Sequence, residues 1–318
     1  FFLLKLIAFI IDGDVWLVDC GEGTQIQIQK STLKPGRVTK IFVTHLHGDH
    51  VFGLPGLLCT LGNQATKKPK DFLFEIYGPL GLKKFLRVIL SLSQSPLPFP
   101  FVVHELVPIE AQLDNVQWPP IPMDSQSSDP PHPQEGISRL IHPSEDGIWE
   151  VMDSGGYNVR ASWLRHRVAC FGYCIQEPDS PGTLNSQKLK ELGIPPGPLY
   201  GQLKQGHSVV SPHGTMIHPE DIMGTKKQGR KLVILGDTCE SSAMLKLAEG
   251  CNVLVHEATL ENAMEEKAKE NGHSSPRMAA SFASSVHAKL LVLTHFSQRY
   301  HDSLQQSLMD EVGSFSFL

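Results

Sequence analysis

No Cys-x-x-Cys pair occurs in the chain; its six cysteines stand apart at Cys20, Cys59, Cys170, Cys174, Cys239 and Cys251. That leaves no thiolate clip for a metal or a redox disulfide, and reads as reduced core thiols in a reducing compartment. No apolar run reaches the about 20 residues needed to span a bilayer. The opening "FFLLKLIAFII" is too short, and no small-residue cleavage site follows it, so a membrane partner is not expected. Positive charge is not in excess: the net formal charge is −5, which excludes a globally basic nucleic-acid binder but not a local basic patch. No internal repeat and no basic import signal are found; "KKQGRK" at 226–231 reads as a loop before a strand.

What is present is ordinary globular material, 318 residues with 41% hydrophobic and 19% charged, enough to bury a core without staples. The opening reads as a hairpin, "LIAFII" against "VWLVDC", through a turn at Asp12-Gly13-Asp14. "EGTQIQIQKSTL", "VFGLPGLLCTLG" and "LGLKKFLRVILSLS" read as helices between the strands "VTKIFVTH" and "FLFEIYGP". Strand and helix in alternation predict an α/β fold. The segment 112–148, with "WPPIPMDSQSSDPPHPQEG", is expected to be a loop insert with His132 and His142 solvated. "WEVMDSGGYNVRASWL" predicts two strands around Gly155-Gly156. The region 178–206 has many Gly and Pro, few apolar residues for a core and one short helix, "NSQKLKELG". "KLVILGDT", "CNVLVHEATL" and "AKLLVLTHF" are strands, and "SPRMAASFASSVH" a helix capped by Ser274 or Ser275.

Four apolar strands run into potential ligands: "IFVTHLHGDH", "ASWLRH", "LVILGD" and "LLVLTH". In α/β sheets ligands gather where strands end. The candidates are His45, His47, Asp49, His50, His166, Asp237 and His295. Imidazole nitrogens and carboxylate oxygens suit zinc, and one carboxylate can bridge two ions about 3.5–4 Å apart. His45 and His47, two apart in extended chain, point the same way. Gly48 is expected to let the chain bend so that Asp49 and His50 reach a second ion.

"HLHGDH" matches the HxHxDH signature of the metallo-β-lactamase superfamily, whose fold is a four-layer αββα sandwich. "DCGEGTQ", "THLHGDHVFGLPGLL", "LGDT", "HEAT", "GHSSPRMAA", "LVLTHFSQRY" and the Gly/Pro-rich "PPGPLYGQLKQG" together resemble ribonuclease Z, the short-form tRNA 3′-processing endonuclease, from about Val15 to Tyr300. The resemblance implies a single domain over 1–318 with an extruded arm at 178–206. It implies two zinc ions, the first held by His45, His47 and His166, the second by Asp49, His50 and His295, with Asp237 bridging. Asp49 would take the proton of the attacking water, and Glu257 with His273 would help protonate the leaving oxygen. Asp19 would orient the site, and His256 would be structural. The implied substrate is precursor tRNA, gripped by Lys188, Lys190 and Lys204 on the arm and contacted by Arg299; the implied assembly is a homodimer. The expected compartment is the cytoplasm, with the sequence leaving cytosol against nucleus open. Against the family pattern, the opening strand, the tail after Tyr300 and Thr183 in the arm differ, so zinc binding is expected to persist with weakened folding. The rival readings are another zinc hydrolase of the superfamily, thioesterase-like, and a catalytically weakened tRNA-binding partner.

Overall fold

The computed structural model describes residues 6–63, 72–114 and 130–300, which form two compact units. The larger unit holds Val159–Ile175 and everything described outside Gly155–Asn158 and Gln176–Arg230.

Its first sheet runs in chain order: β1 (Ile7–Ile11), β2 (Asp14–Val18), β3 (Val38–Phe42), β4 (Phe74–Pro79), β5 (Phe101–Leu106) and β6 (Leu140–Ile141). β1 and β2 are an antiparallel hairpin whose turn residues Asp12 and Gly13 both have positive φ, 50° and 87°, the conformation an Asp-Gly turn supplies. From β2 onward the pairing is parallel, which requires crossovers. Helices Thr24–Lys30, Leu54–Asn63 and Leu82–Leu92 supply the first three of them, up to β5. The second sheet takes β7 (Ile148–Ser154), β8 (Tyr157–Leu164) and β9 (Cys170–Gln176). After the short β10 (Val209–Val210) and β11 (Met216–Ile217) of the other unit, it adds β12 (Lys231–Ile234), β13 (Val253–Glu257) and β14 (Leu291–Thr294). Its order is β14-β13-β12-β9-β8-β7.

Side-chain alternation sets the layers. Ile41 and Val43 at β3 join Val15, Leu17, Ile76 and Val103 under Leu54, Leu58, Leu82 and Leu86 of the helices. Phe42 points the other way, stacks on Tyr77 at 5.1 Å and meets Tyr173 of the second sheet at 5.5 Å. The polar ends of this aromatic layer are satisfied: Tyr173 OH donates to Val43 O and Trp149 Nε1 to Val107 O. Leu247, Leu254, Phe282, Ala283 and Val286 cover the second sheet's outer face. The result is the expected four-layer αββα sandwich.

The described part of the 112–148 insert is not a free loop; residues 115–129 lie outside the described residues. Gln112 donates to Cys170 O, and Leu140–Ile141 extends the first sheet. Glu135, its side chain 2% exposed, pairs with Arg87 at 2.7 Å. His132 is half-buried rather than solvated, its ring beside Phe101 and its Nε2 3.2 Å from Ser95 O. Composition could not show that a helix elsewhere carries the cation for Glu135.

The smaller unit also departs from the expectation for 178–206. It runs to Arg230 and buries Leu189, Ile194, Leu203, Val209, Ile217 and Ile222 in a core of its own. Within 178–206 two helices, Ser186–Glu191 and Pro198–Lys204, stand where one was expected, and a third, Pro219–Ile222, follows beyond it. The first is capped by Asn185, whose side chain accepts from Lys188 N. Half of the core residues lie beyond position 206, so a window closed there shows too few of them. Arg230 and Glu177 join its two ends through a bidentate pair.

Candidate metal centre

β3, β8, β12, β13 and β14 all end at candidate side chains, and the turns after them bring these together. His45, His47 and His166 offer ligand atoms within 4.8 Å of one another; so do His45, His50 and Asp237, and so do Asp49, His50 and His295. Seven residues spread over 251 positions of sequence, from His45 to His295, therefore share one edge of the sandwich.

Hydrogen bonds on the outer ring nitrogens fix which nitrogen faces the centre. Thr44 Oγ1 donates to Asp19, so it accepts from His45 Nδ1 at 3.0 Å, and His45 Nε2 is left as a lone pair. His166 Nδ1 donates to Gly272 O at 2.7 Å, leaving its Nε2 inward. His47 Nδ1 stands 3.1 Å from His45 Nε2 and 3.2 Å from His166 Nε2. In the second group, His50 Nδ1 donates to Asp19 Oδ2 at 2.6 Å and its Nε2 faces Asp237 Oδ1 at 3.3 Å. Thr259 Oγ1 donates to Glu257, so it accepts from His295 Nδ1 at 2.6 Å, and His295 Nε2 lies 2.8 Å from Asp237 Oδ2.

These contacts test the fit to a metal. The Nε2 atoms of His50 and His295 are buried, and neither makes a hydrogen bond among the described residues. Ring nitrogens face one another and carboxylate oxygens across about 3 Å, an arrangement that a cation between them would satisfy. Three inward nitrogens on one side, two nitrogens and the exposed Asp49 carboxylate on the other, and buried Asp237 between form a donor set suited to divalent zinc.

Electrostatics agree. Burial lowers the pKa of His45 well below the usual histidine range and lowers that of His47, with Arg167 reinforcing the latter. Burial also takes His166 down to about 3. All three are thus held neutral, the form that ligates. Burial opposes the charge on His50 too, but the Asp19 and Asp237 carboxylates outweigh it and raise its pKa to about 9. The same negative field attracts a metal cation, which would replace that proton.

Glu257, 1% exposed, has both oxygens occupied. Oε1 accepts from Thr238 N at 2.8 Å and His273 Nδ1 at 2.9 Å, and Oε2 accepts from Thr259 N and Oγ1. Those bonds hold the His273 ring by its Nδ1. His256 is buried, with Nδ1 2.8 Å from Glu257 O. Arg299 is exposed, its Nη1 3.4 Å from Met264 Sδ. In the smaller unit Lys188, Lys190 and Lys204 are exposed, Lys188 Nζ donating to Asp221 O.

Sequence reasoning missed four contributors. Thr44 and Thr259 each couple a carboxylate to an inward histidine. Both are adjacent to recognised motifs, in "TH" and "HEAT", which is the signal that could have found them. Gly272, at φ 76°, accepts from His166, and a β-carbon there would stand 2.8 Å from His166 Nδ1. The fourth is strain: Asp19 and His295 both have φ 62°, which non-glycine residues rarely adopt. Gly48 is corrected. Its φ is not positive, and its need for glycine is room, since a β-carbon there would lie 2.2 Å from the Phe52 ring.

A sandwich with this donor set at its edge defines a class, and residues 6–128 match the metallo-β-lactamase superfamily. The chain is 49% identical over 296 residues to zinc phosphodiesterase ELAC protein 1 of Bos taurus, covering 91% of this chain and 80% of the relative. It is 44% identical over 289 residues to ribonuclease BN of Erwinia tasmaniensis, covering 90% and 81%. Among solved structures, human tRNase Z, short form, aligns with a TM-score of 0.65 at 37% identity, over 93% of this chain and 87% of that one. The chain belongs to the ribonuclease Z family, the short-form zinc phosphodiesterases of that superfamily.

Proposed function

We propose that this chain is a zinc-dependent endoribonuclease that removes the 3′ trailer from tRNA precursors and leaves a 3′-hydroxyl on the tRNA. The observation that carries the reading is the set of inward ring nitrogens and the carboxylates gathered around Asp237, beside a His273 held by a saturated Glu257. His45, His47 and His166 would hold one zinc, Asp49, His50 and His295 a second, with Asp237 shared. When bound, two zinc ions neutralise a phosphodiester and bring the pKa of a bound water down from about 15.7 toward 7.

The chain's own groups do the rest. Asp49 is exposed at the mouth, where its carboxylate can take the proton of the attacking water. Glu257 cannot rotate without breaking four hydrogen bonds, so it fixes His273 with Nδ1–H inward and Nε2 toward the leaving 3′-oxygen. In the protonated ring, His273 Nε2–H supplies the proton the departing oxygen needs. The smaller unit would grip the tRNA through phosphates. Because Lys188 is used internally, Lys190 and Lys204 carry most of that contact, and Arg299 contacts the substrate phosphate. A homodimer is part of this reading by family resemblance. No described helix is long and apolar enough to cross a membrane, and the free cysteines suit a reducing compartment such as the cytoplasm or nucleus.

The test is cleavage of a trailer-bearing tRNA precursor by the zinc-loaded protein, beside His47→Ala and a thioester substrate. Expected is one cut leaving a tRNA 3′-hydroxyl, lost in His47→Ala. Thioester turnover without RNA cleavage would favour the rival hydrolase, and RNA binding without cleavage the inactive partner.

A further inference from the structure

Phe52 is the most exposed phenylalanine of the described residues, 58% accessible, and it stands at the metal loop. Its N–H donates to Gly48 O at 2.8 Å, ending the helical turn Gly48–Val51 that carries Asp49 and His50. Its ring lies over Gly48, between His47 and Asp49, so closely that any β-carbon there would clash. On one side it is braced by half-buried Phe85 of helix Leu82–Leu92, with centroids 6.2 Å apart and planes within 17°. The exposed part of the ring buries no apolar surface, and the ring overlies the residue between the proposed ligands His47 and Asp49.

From this geometry we propose that Phe52 is a base platform: it stacks a nucleobase flanking the phosphodiester that the centre cleaves. This rests on the reading of the site as one that cuts RNA. A phosphate drawn to the His47–Asp49 loop brings its neighbouring nucleotide to within one residue's reach of the ring over Gly48. Single-stranded ends are recognised by stacking unpaired bases on aromatic side chains, which requires an exposed, braced ring and no particular base. The platform would orient the scissile bond without contributing a polar group to the chemistry.

The experiment pairs Phe52→Ala, Phe52→Leu and Phe52→Tyr with precursors carrying an abasic nucleotide immediately 5′ or 3′ of the cut. Stacking of one base on an aromatic ring corresponds to roughly 5- to 140-fold in binding or kcat/KM. The wild type should lose that factor on one of the two abasic substrates. Phe52→Ala and Phe52→Leu should lose it on the intact substrate and lose nothing more on the abasic one, while Phe52→Tyr stays near wild type. With 2-aminopurine in place of the stacked base, its fluorescence should be quenched on binding to wild type and Phe52→Tyr only, a readout independent of turnover. Equal losses on intact and abasic RNA, or unquenched 2-aminopurine with wild type, overturn the platform while leaving cleavage intact. A shift of oligomeric state in Phe52→Leu without base dependence overturns it in favour of a second copy of the chain covering the ring. Wild type that cuts no precursor fails the underlying reading, and the platform falls with it.

Discussion

Glu257 orders two histidines at once, directly through His273 and through Thr259 to His295. Four donors converge on it, so Glu257→Gln would set an amide NH₂ against at least one of them. Expected is a loss of about 10²- to 10³-fold in kcat for precursor cleavage, in keeping with the usual contribution of a positioned acid. Zinc affinity should fall as well, because Glu257 orients His295 through Thr259, but the number of ions bound at saturating zinc should stay that of wild type; an ion lost at saturation would contradict a merely orienting role. Gly272→Ala should act on the metal too, because it combines an unfavourable positive φ with a β-carbon against His166. A fall in zinc affinity of about 10- to 100-fold, the usual effect of disturbing a ligand's outer partner, is expected in a competition titration. The proposed ligands are readable in the sequence because HxHxDH compresses four of them into six positions. Thr44, Thr259 and Gly272 are not, because their roles exist only once residues 25 to 106 positions apart are brought into hydrogen-bond range.

At the scale of elements, the strands legible in sequence are those whose apolar side chains alternate between two buried faces. Phe42 is one such position, fully buried between the sheets against Tyr77 and Tyr173. Phe42→Ala should cost about 3–5 kcal/mol of unfolding free energy, measured by denaturant titration. β5 also carries His104, which stacks on Tyr77 and accepts from Arg139 N. Burial, with the charges of Arg139 and Lys40, lowers its pKa to about 4. Between pH 6.5 and about 4 the unfolded chain takes up this proton and the folded chain does not, so its contribution to stability falls as pH falls through that window. His104→Gln should flatten the decline in Tm over that range relative to wild type; an identical slope would assign the acid sensitivity elsewhere. The elements that sequence reading missed, the core of the smaller unit and the packed end of the insert, depend on partners outside the windows in which they were sought: Val209, Ile217 and Ile222 for the one, Arg87 for the other.

For the whole molecule, the larger unit closes on itself partly through its negative and lone-pair-rich edge. A metal bound there at 100 times its dissociation constant would add about 2.7 kcal/mol to the folded state. At about 2–4 °C per kcal/mol for domains of this size, chelation should lower Tm by roughly 5–10 °C. Asp237 lies with His45 and His50 in one ligand-capable group and reaches His295 at 2.8 Å, so the two proposed ions would share that carboxylate. The most direct test is therefore the zinc bound per chain after dialysis against a trace of zinc, by elemental mass spectrometry on wild type and Asp237→Asn. Two ions per wild-type chain and fewer than one in the variant are predicted. A wild-type chain that keeps one ion or none, or a variant that keeps two, would contradict the account.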